Sequence, residues 1–495
     1  MKIVPRMVEE WPKLAWVATF QQGSRGIQVW HGPMVETSDH WLAEAVWAGD
    51  FAQGGFDLTD LVFGTGIRCR GDRVTFVSSG TAVDRLVYCA RDGQWYISNS
   101  LPALLASAGL VLCDDYPFYT RDLVTIETRG IKQYTRHIPA KPTDIHLIYF
   151  DNLTYDGQGL NETEKADTSP RFTCFADYYG FLADVARRLG ENLASPMRHH
   201  AVLPLVAISS GYDSPAVAVI SRLAGCSRAA TITQATSLWR GSDSGAKIAE
   251  RLGLSCSSYD HRVTSYTNEV SIWAAFGRAG GLNLTLFDYP RPLCLSFNGS
   301  FGDKLWDREY HDLSEPVGDT DSPLGEFRLF HGLFHCVVPW WGIRHAQEIH
   351  AIGSLEEMAP WTLHTAYDRP IARRIIEEAG VPRGAFAVRK KNTSSNTPLL
   401  WPYSPEMKAR FAEYLRIRGI RVPSDWWIWL TRRISVVDNL VYRNVTKRLG
   451  FDIGLRDRLR HPGSSLIFQW ANAELKRHYE EGLKAAGASP PIRPS

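Results

Sequence analysis

VLPLVAISSGYDSPAVAVISRLAG, residues 202–225, joins an apolar run to a helix-forming run through a short turn, Ser209–Ser214. Val202–Ser209 is apolar without alternation, the pattern of a strand buried on both faces. Pro204 has no N–H for a ladder, so the strand is expected mainly after it. YDSPAVAVISRLAG carries apolar residues at helical spacing and stops at Gly225. Such a strand–turn–helix junction aims backbone N–H groups and the helix dipole at one spot, which suits a phosphate. Gly211 lets the backbone turn tightly and approach a ligand. Ser209, Ser210 and Ser214 offer hydroxyl donors, and Asp213 can hold Mg²⁺ against phosphate oxygens. Pro215 falls in the first helical turn, where proline is tolerated. GxxxxGK[ST] is absent, so this is not a Walker A loop. The plainer alternative is a tight turn that only caps a helix.

Downstream the pattern alternates. AATITQA (229–235) reads as a second strand, DSGAKIAERLG (243–253) as a second helix, LSCSSYD (254–260) as a third strand and LCLSF (293–297) as a fourth. Alternation of this kind implies an α/β fold, a parallel sheet with helices on both faces. Beyond about residue 320 the chain reads mostly helical, including RPIARRIIEEAG (369–380) and an amphipathic stretch at 433–449. Upstream, VTFVSS (74–79), RLVYCA (85–90), QWYISNS (94–100) and IHLIYFD (145–151) are β-prone runs, and LPALLASAG is a helix stopped by Gly109. The stretch 153–170 is polar and marks the boundary, and 172–195 is helical. The expected organisation is a strand-rich domain over 1–165, an α/β domain over 172–480 and a disordered Pro-rich tail over 481–495.

The 495 residues are 44% hydrophobic and 22% charged, with 55 Lys and Arg against 53 Asp and Glu. That near balance disfavours a protein built mainly to hold nucleic acid. The 8 cysteines are scattered without a CxxC pair, which fits reduced thiols in a cytoplasm and gives no zinc-site spacing. The opening MKIVPRMVEEWPK has no apolar leader core, and no run of 18 apolar residues occurs, so no membrane span is expected. Homo-oligomerisation is left open.

SSGYDS resembles the SGGxDS loop of the PP-loop ATP pyrophosphatases, and ISSGYDSPAVA resembles their asparagine-synthetase branch. Ser210 stands where that family has its first Gly. The resemblance continues into SDSGAKIAERLG (242–253), with its acidic residue and helix, and into NGSFGDKLW (298–306), similar to a G-x-x-x-D loop that opens at Gly299. It implies ATP and Mg²⁺ as ligands, with Asp213 and Asp303 sharing the metal. Ser300 stands where asparagine synthetases often carry an acidic residue. The end of the second strand, near Thr231 and Thr233, is expected against adenine or ribose. RKK (389–391) resembles the family's R-x-K segment, which assigns Lys391, with Lys390 as the alternative, to charge stabilisation on the departing pyrophosphate. A solvated basic turn explains the same residues equally well.

VYCARDGQWYISNSLPALLASAG (87–109) also looks like the second half of the family's N-terminal glutaminase domain. Those glutaminases use a cysteine directly after the initiator Met. Here position 2 is Lys2 and the first cysteine is Cys69. The chemistry needs a free α-amine beside the thiol, so the domain is expected as a scaffold only. The implied activity is a carbon–nitrogen ligase that adenylates a carboxylate or similar oxygen and draws nitrogen from an amine within the same substrate, from a peptide's own amine, or from free ammonia or another amine-bearing metabolite. Two rivals remain: a catalytically degenerate nucleotide-binding regulator, and a PP-loop nucleic-acid modifier, which the missing CxxC modules disfavour. His345, Glu348 and His350 lack metal-site spacing, and Trp340 and Trp341 are expected in the core. YDRP (367–370) and the following helix carry charges that could meet a substrate, although an exposed Arg/Glu face is the commoner explanation.

Purified protein incubated with glutamine is therefore expected to release no glutamate above a buffer control. Glutamate release that co-purifies with the protein overturns the scaffold reading.

Overall fold

A computed structural model describes residues 1–233, 242–260, 266, 268–277, 282–310, 313, 324–365, 367–387, 401–430 and 464–488. The first half of the chain forms β1 (Lys2–Met7), β2 (Trp16–Gln21), β3 (Gly26–His31), β4 (Glu36–Thr37), β5 (Trp41–Trp47), β6 (Val62–Arg70), β7 (Arg73–Val77), β8 (Leu86–Arg91) and β9 (Gln94–Ser98). Then come α1 (Leu101–Ala108), β10 (Val111–Leu112), α2 (Tyr119–Leu123), α3 (Thr125–Gln133), β11 (His137–Ile138), β12 (Ala140–Lys141), β13 (Ile145–Ile148), β14 (Asn152–Tyr155) and β15 (Leu160–Thr163). A seven-stranded sheet, β1-β3-β2-β9-β8-β13-β11, faces a six-stranded one, β15-β14-β7-β6-β5-β4. Side chains alternate across each strand. In β2, Trp16, Ala18 and Phe20 point between the sheets with Ile67, Phe76 and Leu153, while Val17 points to the helices.

The segment 153–170, expected to be a linker, contributes β14 and β15 to the six-stranded sheet. LNET is a polar edge strand, and polar edges carry no hydrophobic signal. The remaining connector is pinned along its length. Lys165 is buried and donates to the Ser78 carbonyl at 2.8 Å, and Thr168 donates to Asp60 at 2.7 Å. Burial pushes the Lys165 ammonium down to about 7 despite Asp151 and Asp60 nearby. Arg344 holds the Lys165 carbonyl at 2.8 Å, and Glu348 accepts from the Phe172 amide at 3.0 Å. His345 lies 3.3 Å from Asp167, so His345 and Glu348 anchor the connector, while His350 Nε2 lies 3.0 Å from the Asp307 carbonyl.

The second half comprises α4 (Phe175–Leu193), β16 (Val202–Ala207), α5 (Asp213–Arg222), β17 (Arg228–Ile232), α6 (Ala246–Arg251), β18 (Ser255–Tyr259), α7 (Glu269–Phe276) and β19 (Leu293–Asn298). It continues with α8 (Gly302–Leu305), α9 (Gly325–His331), β20 (Leu333–Val337), α10 (Ala346–Ile352), α11 (Pro370–Glu378), α12 (Pro405–Ile417) and α13 (Ser464–Ala485). Among the described residues, β18-β17-β16-β19-β20 is a five-stranded, all-parallel sheet. α5 packs with α4, α6 and α11, while α7 packs with α9 and α13, two groups as expected of a sheet that winds both ways from its centre.

Three expectations about this half are corrected. Pro204 lies inside β16, not before it: pairing with β19 runs from Val202, but pairing with β17 starts only at Val206, beyond the missing N–H. The region past 320 also contributes a strand, β20, at the sheet edge. All of LFHCV is buried, and a short run buried on every side has no periodicity to separate strand from helix. The helix α13 runs to Ala485 with Leu483 buried, so helical structure extends past residue 481, where a tail was expected. No helix among the described residues is long and apolar enough to cross a membrane, and the cysteines are all unpaired.

The two halves share one core. α13 packs on α1 and α7 together. The Trp11 indole donates to the Tyr479 carbonyl at 3.1 Å, and a Cβ on Gly482 would lie 2.6 Å from the Trp11 ring. Beneath this contact Glu326 is fully buried and accepts from Ser100 Oγ at 2.8 Å and the Leu101 amide at 2.9 Å. Burial pushes its carboxyl up from 4.5 to about 7, against those hydrogen bonds and the field of Arg85 and Arg328. The folded form thus keeps a proton that the unfolded chain loses above its ordinary value. Between about 4.5 and about 7, stability should fall as pH rises. Glu326→Gln is expected to remove that component, flattening the slope by roughly 1 kcal/mol per pH unit. Denaturant titrations of both proteins across this window check it; parallel curves refute it.

Candidate functional site

In an open parallel sheet, ligands bind beyond the carboxyl ends of the strands, where the winding reverses. That point lies between β16 and β19. The loop Ser209–Ser214 leaves β16 there, and the loop 299–302 leaves β19 beside it. The first loop is half-buried apart from Tyr212, whose ring is sealed in the core. The Ser209 amide donates to Ser214 Oγ at 2.9 Å, the two hydroxyls lie 2.9 Å apart, and the Gly211 amide donates to Ser209 Oγ at 3.3 Å. The turn is therefore closed by its own serines, and α5 starts at Asp213 with its first N–H groups facing the sheet edge.

The two loops touch through glycines. A Cβ on Gly302 would sit 2.9 Å from Asp213 Oδ1, and one on Gly299 would sit 2.9 Å from Asp213 Cβ. No side chain fits at either position, so NGSFGD presses its backbone directly on the Asp213 carboxylate. The Ser300 amide donates to Asn298 Oδ1 at 3.1 Å. Phe301 holds φ at 72°, a conformation that disfavours a bulky residue, and buries its ring 5.9 Å from that of Trp340. Asp303 follows in the first turn of α8 with its side chain exposed.

Of the other expected residues, Thr233 turns inward: its hydroxyl donates to the Tyr259 carbonyl at 3.2 Å. Thr231 Oγ1 accepts from the Gly245 amide at 2.9 Å, so both threonines brace backbone. Backbone contact with a nucleoside is still open to this strand end. Lys390 and Lys391 lie outside the described residues. The chain enters that segment at the loop itself, since the Ala387 amide donates to the Ser210 carbonyl at 2.7 Å. Trp340 and Trp341 are core residues.

YDRP is where the reading needs correction. Arg369 is not on an exposed face: its side chain is 2% exposed, pairs with Asp213 and lies 3.5 Å from Asp307. Burial alone would depress its guanidinium, but Asp213, Tyr367 and Asp303 offset this and hold it above its usual value. Among the described residues its Nη2 has no hydrogen-bond partner. Burial likewise raises the Tyr367 phenol, whose oxygen is 3.5 Å from where a Gly211 Cβ would lie. Arg373 is also buried, reaching the Tyr212 hydroxyl. An arginine beside a helix start has no periodic signature, so only the fold reveals this group.

Two carboxylates, an orphaned guanidinium donor and a turn of backbone amides fit a magnesium-bound polyphosphate. Among the described residues no three or more His, Cys, Asp or Glu converge on a cation site. Mg²⁺ needs no such cage, because it uses one or two carboxylates, waters and the phosphates themselves.

ATP with Mg²⁺ is expected to raise the thermal midpoint of the wild type, as a ligand of the folded state must. Asp213→Asn should lose that response and also lower unliganded stability by about 2 kcal/mol, because it strips a buried arginine of its partner while Asp213 keeps some solvent contact. Equal nucleotide shifts in both proteins remove the loop from the binding site. Comparison of the chain with protein-family models finds no match, and comparison with curated proteins finds none.

Proposed function

We propose that this protein is an ATP-dependent carbon–nitrogen ligase of the asparagine-synthetase type, with a PP-loop nucleotide domain behind a glutaminase-like scaffold. The observation that carries the reading is the contact of the Ser209–Ser214 loop with the Gly299–Asp303 loop at the point where the sheet's winding reverses. The amides of the first loop and the start of α5 would take the β- and γ-phosphates as one unit, leaving the α-phosphate open to a substrate carboxylate. Asp213 and Asp303 would hold Mg²⁺, which neutralises the phosphate oxygens. Arg369 would donate its unengaged N–H groups to the same oxygens, where charge grows as pyrophosphate departs. By the resemblance of RKK to the family's R-x-K segment, Lys391 would share that task. An amine, carried by the same molecule, by a peptide or by a second metabolite, would then displace AMP from the activated carboxylate.

A second reading is favoured by one contact. Arg369 already occupies Asp213, which competes with a cation for that carboxylate. A regulator that binds nucleotide without turnover would keep this pair permanently.

Labelled pyrophosphate exchanging into ATP, in the presence of candidate carboxylates, separates the two. With the true substrate, AMP and pyrophosphate should form in equal amounts. Asp303→Asn should lower turnover about 100-fold while affecting ATP affinity far less, because the charge it offsets is greatest in the transition state. ADP as the stoichiometric product excludes this chemistry, and binding without exchange across a broad carboxylate panel favours the regulator.

A further inference from the structure

Ser210, the second residue of the half-buried Ser209–Ser214 turn, directs its hydroxyl at a neighbouring turn. Ser210 Oγ donates to Asp243 Oδ1 at 2.6 Å, and the Ser210 amide lies 3.2 Å from the same oxygen and 3.0 Å from the Asp243 carbonyl. We propose that Asp243 is a positioning residue that draws the Ser210 side chain out of the cradle and so keeps a serine-bearing loop open to a polyphosphate. This inference rests on the nucleotide-site reading above and adds a residue to it.

The surroundings make the tether rigid. Asp243 is 3% exposed, so its carboxylate has little water to fall back on and is committed to protein donors. Ser244 forms an antiparallel bridge with Ser209, which lays the 242–245 turn along the loop. Gly245 permits that approach: a Cβ there would lie 2.8 Å from Ile208 Cγ1 and 2.9 Å from the Ser209 nitrogen. The Gly245 amide is held by Thr231 Oγ1 and the Ser242 hydroxyl by the Thr233 carbonyl, both at the end of β17. The tether is thus fastened to a central strand. It also takes up the Ser210 amide, and with the Gly211 amide held by Ser209 Oγ the N–H groups offered to a ligand are those from Tyr212 onward. A tethered hydroxyl cannot rotate into the concavity, whereas a released one samples rotamers that fill it.

The test is a double-mutant cycle read as affinity for ATP with Mg²⁺. Asp243→Ala should weaken binding about tenfold, the loss of one charge-assisted hydrogen bond and the order it imposes. Adding Ser210→Gly to Asp243→Ala should recover most of that loss, because no side chain then needs restraint. Asp243→Asn, which keeps the acceptor oxygen, should stay within about threefold of wild type. A double variant as weak as Asp243→Ala alone overturns the proposal. If Asp243→Ala is recovered unfolded, Ser210→Val asks the question from the other side: it cannot be tethered, so wild-type affinity in that variant overturns the proposal as well. A wild type that binds no nucleotide removes both this inference and the site reading, whereas a binding wild type with an unrescued double variant removes this inference alone.

Discussion

The Arg328 guanidinium, carried on α9 of the second half, is shared between two carboxylates of the first half. Its Nη1 and Nη2 donate to the two Glu44 oxygens at 2.7 and 2.8 Å, and its Nε lies 2.7 Å from Asp84. All three side chains are at most 1% exposed. Ions so far from water are tolerated only when every charge has a partner, so the sandwich and the parallel sheet cannot separate without stranding one of them. The surrounding groups are arranged for this. Thr65 and Asn99 donate to Glu44, and His335 of β20 lies 3.3 Å from Asp84. The His335 contact ties the edge strand of the parallel sheet to the same cluster. The carboxyl end of that sheet is consequently a fixed edge, and its loops are positioned by a frame that spans both halves.

At that edge, proximity is achieved by removing side chains. Gly245, Gly299 and Gly302 are each required by an approach under 3.0 Å, and each brings a neighbouring turn onto the Ser209–Ser214 loop. The result is a group of charges, Asp213, Asp243, Asp303, Asp307 and Arg369, gathered from turns far apart in sequence. Charges held this way are fixed in relation to one another by backbone packing and by the Arg369–Asp213 pair.

The strand–turn–helix junction at 202–225 was legible because strand and helix announce themselves by pattern, and the turn between them has its own chemistry. The alternation that follows gave the parallel sheet for the same reason. What pattern could not give were features that depend on partners distant in the chain. β20 is buried on all sides, so its five residues carry no period. β15 is a polar edge and looks like a loop. Arg369 and Arg373 sit in a helix whose Arg/Glu content reads as a solvated face, and only the carboxylate of Asp213 and the hydroxyl of Tyr212 turn them inward. Ser210 was visible as an oddity, but its explanation lies 33 positions away at Asp243. The threonines at the end of β17 were expected against adenine or ribose, and their hydroxyls serve backbone groups that no local reading identifies.

The seat of α13 bears on how the chain is made. The helix fills the groove between α1 and α7, and its contact from Tyr479 to Trp11 joins residues 468 positions apart. During synthesis at about 5–20 residues per second, the apolar faces of α1 and the surrounding strands wait from about 20 seconds to over a minute for the segment that covers them. The amino-terminal sandwich therefore leaves the ribosome with a bare flank, and its shielding in that interval falls to whatever binds exposed hydrophobic surface in the cell. Substitutions that weaken α13 should reveal themselves as lower yield of soluble chain before they alter any property of the finished molecule.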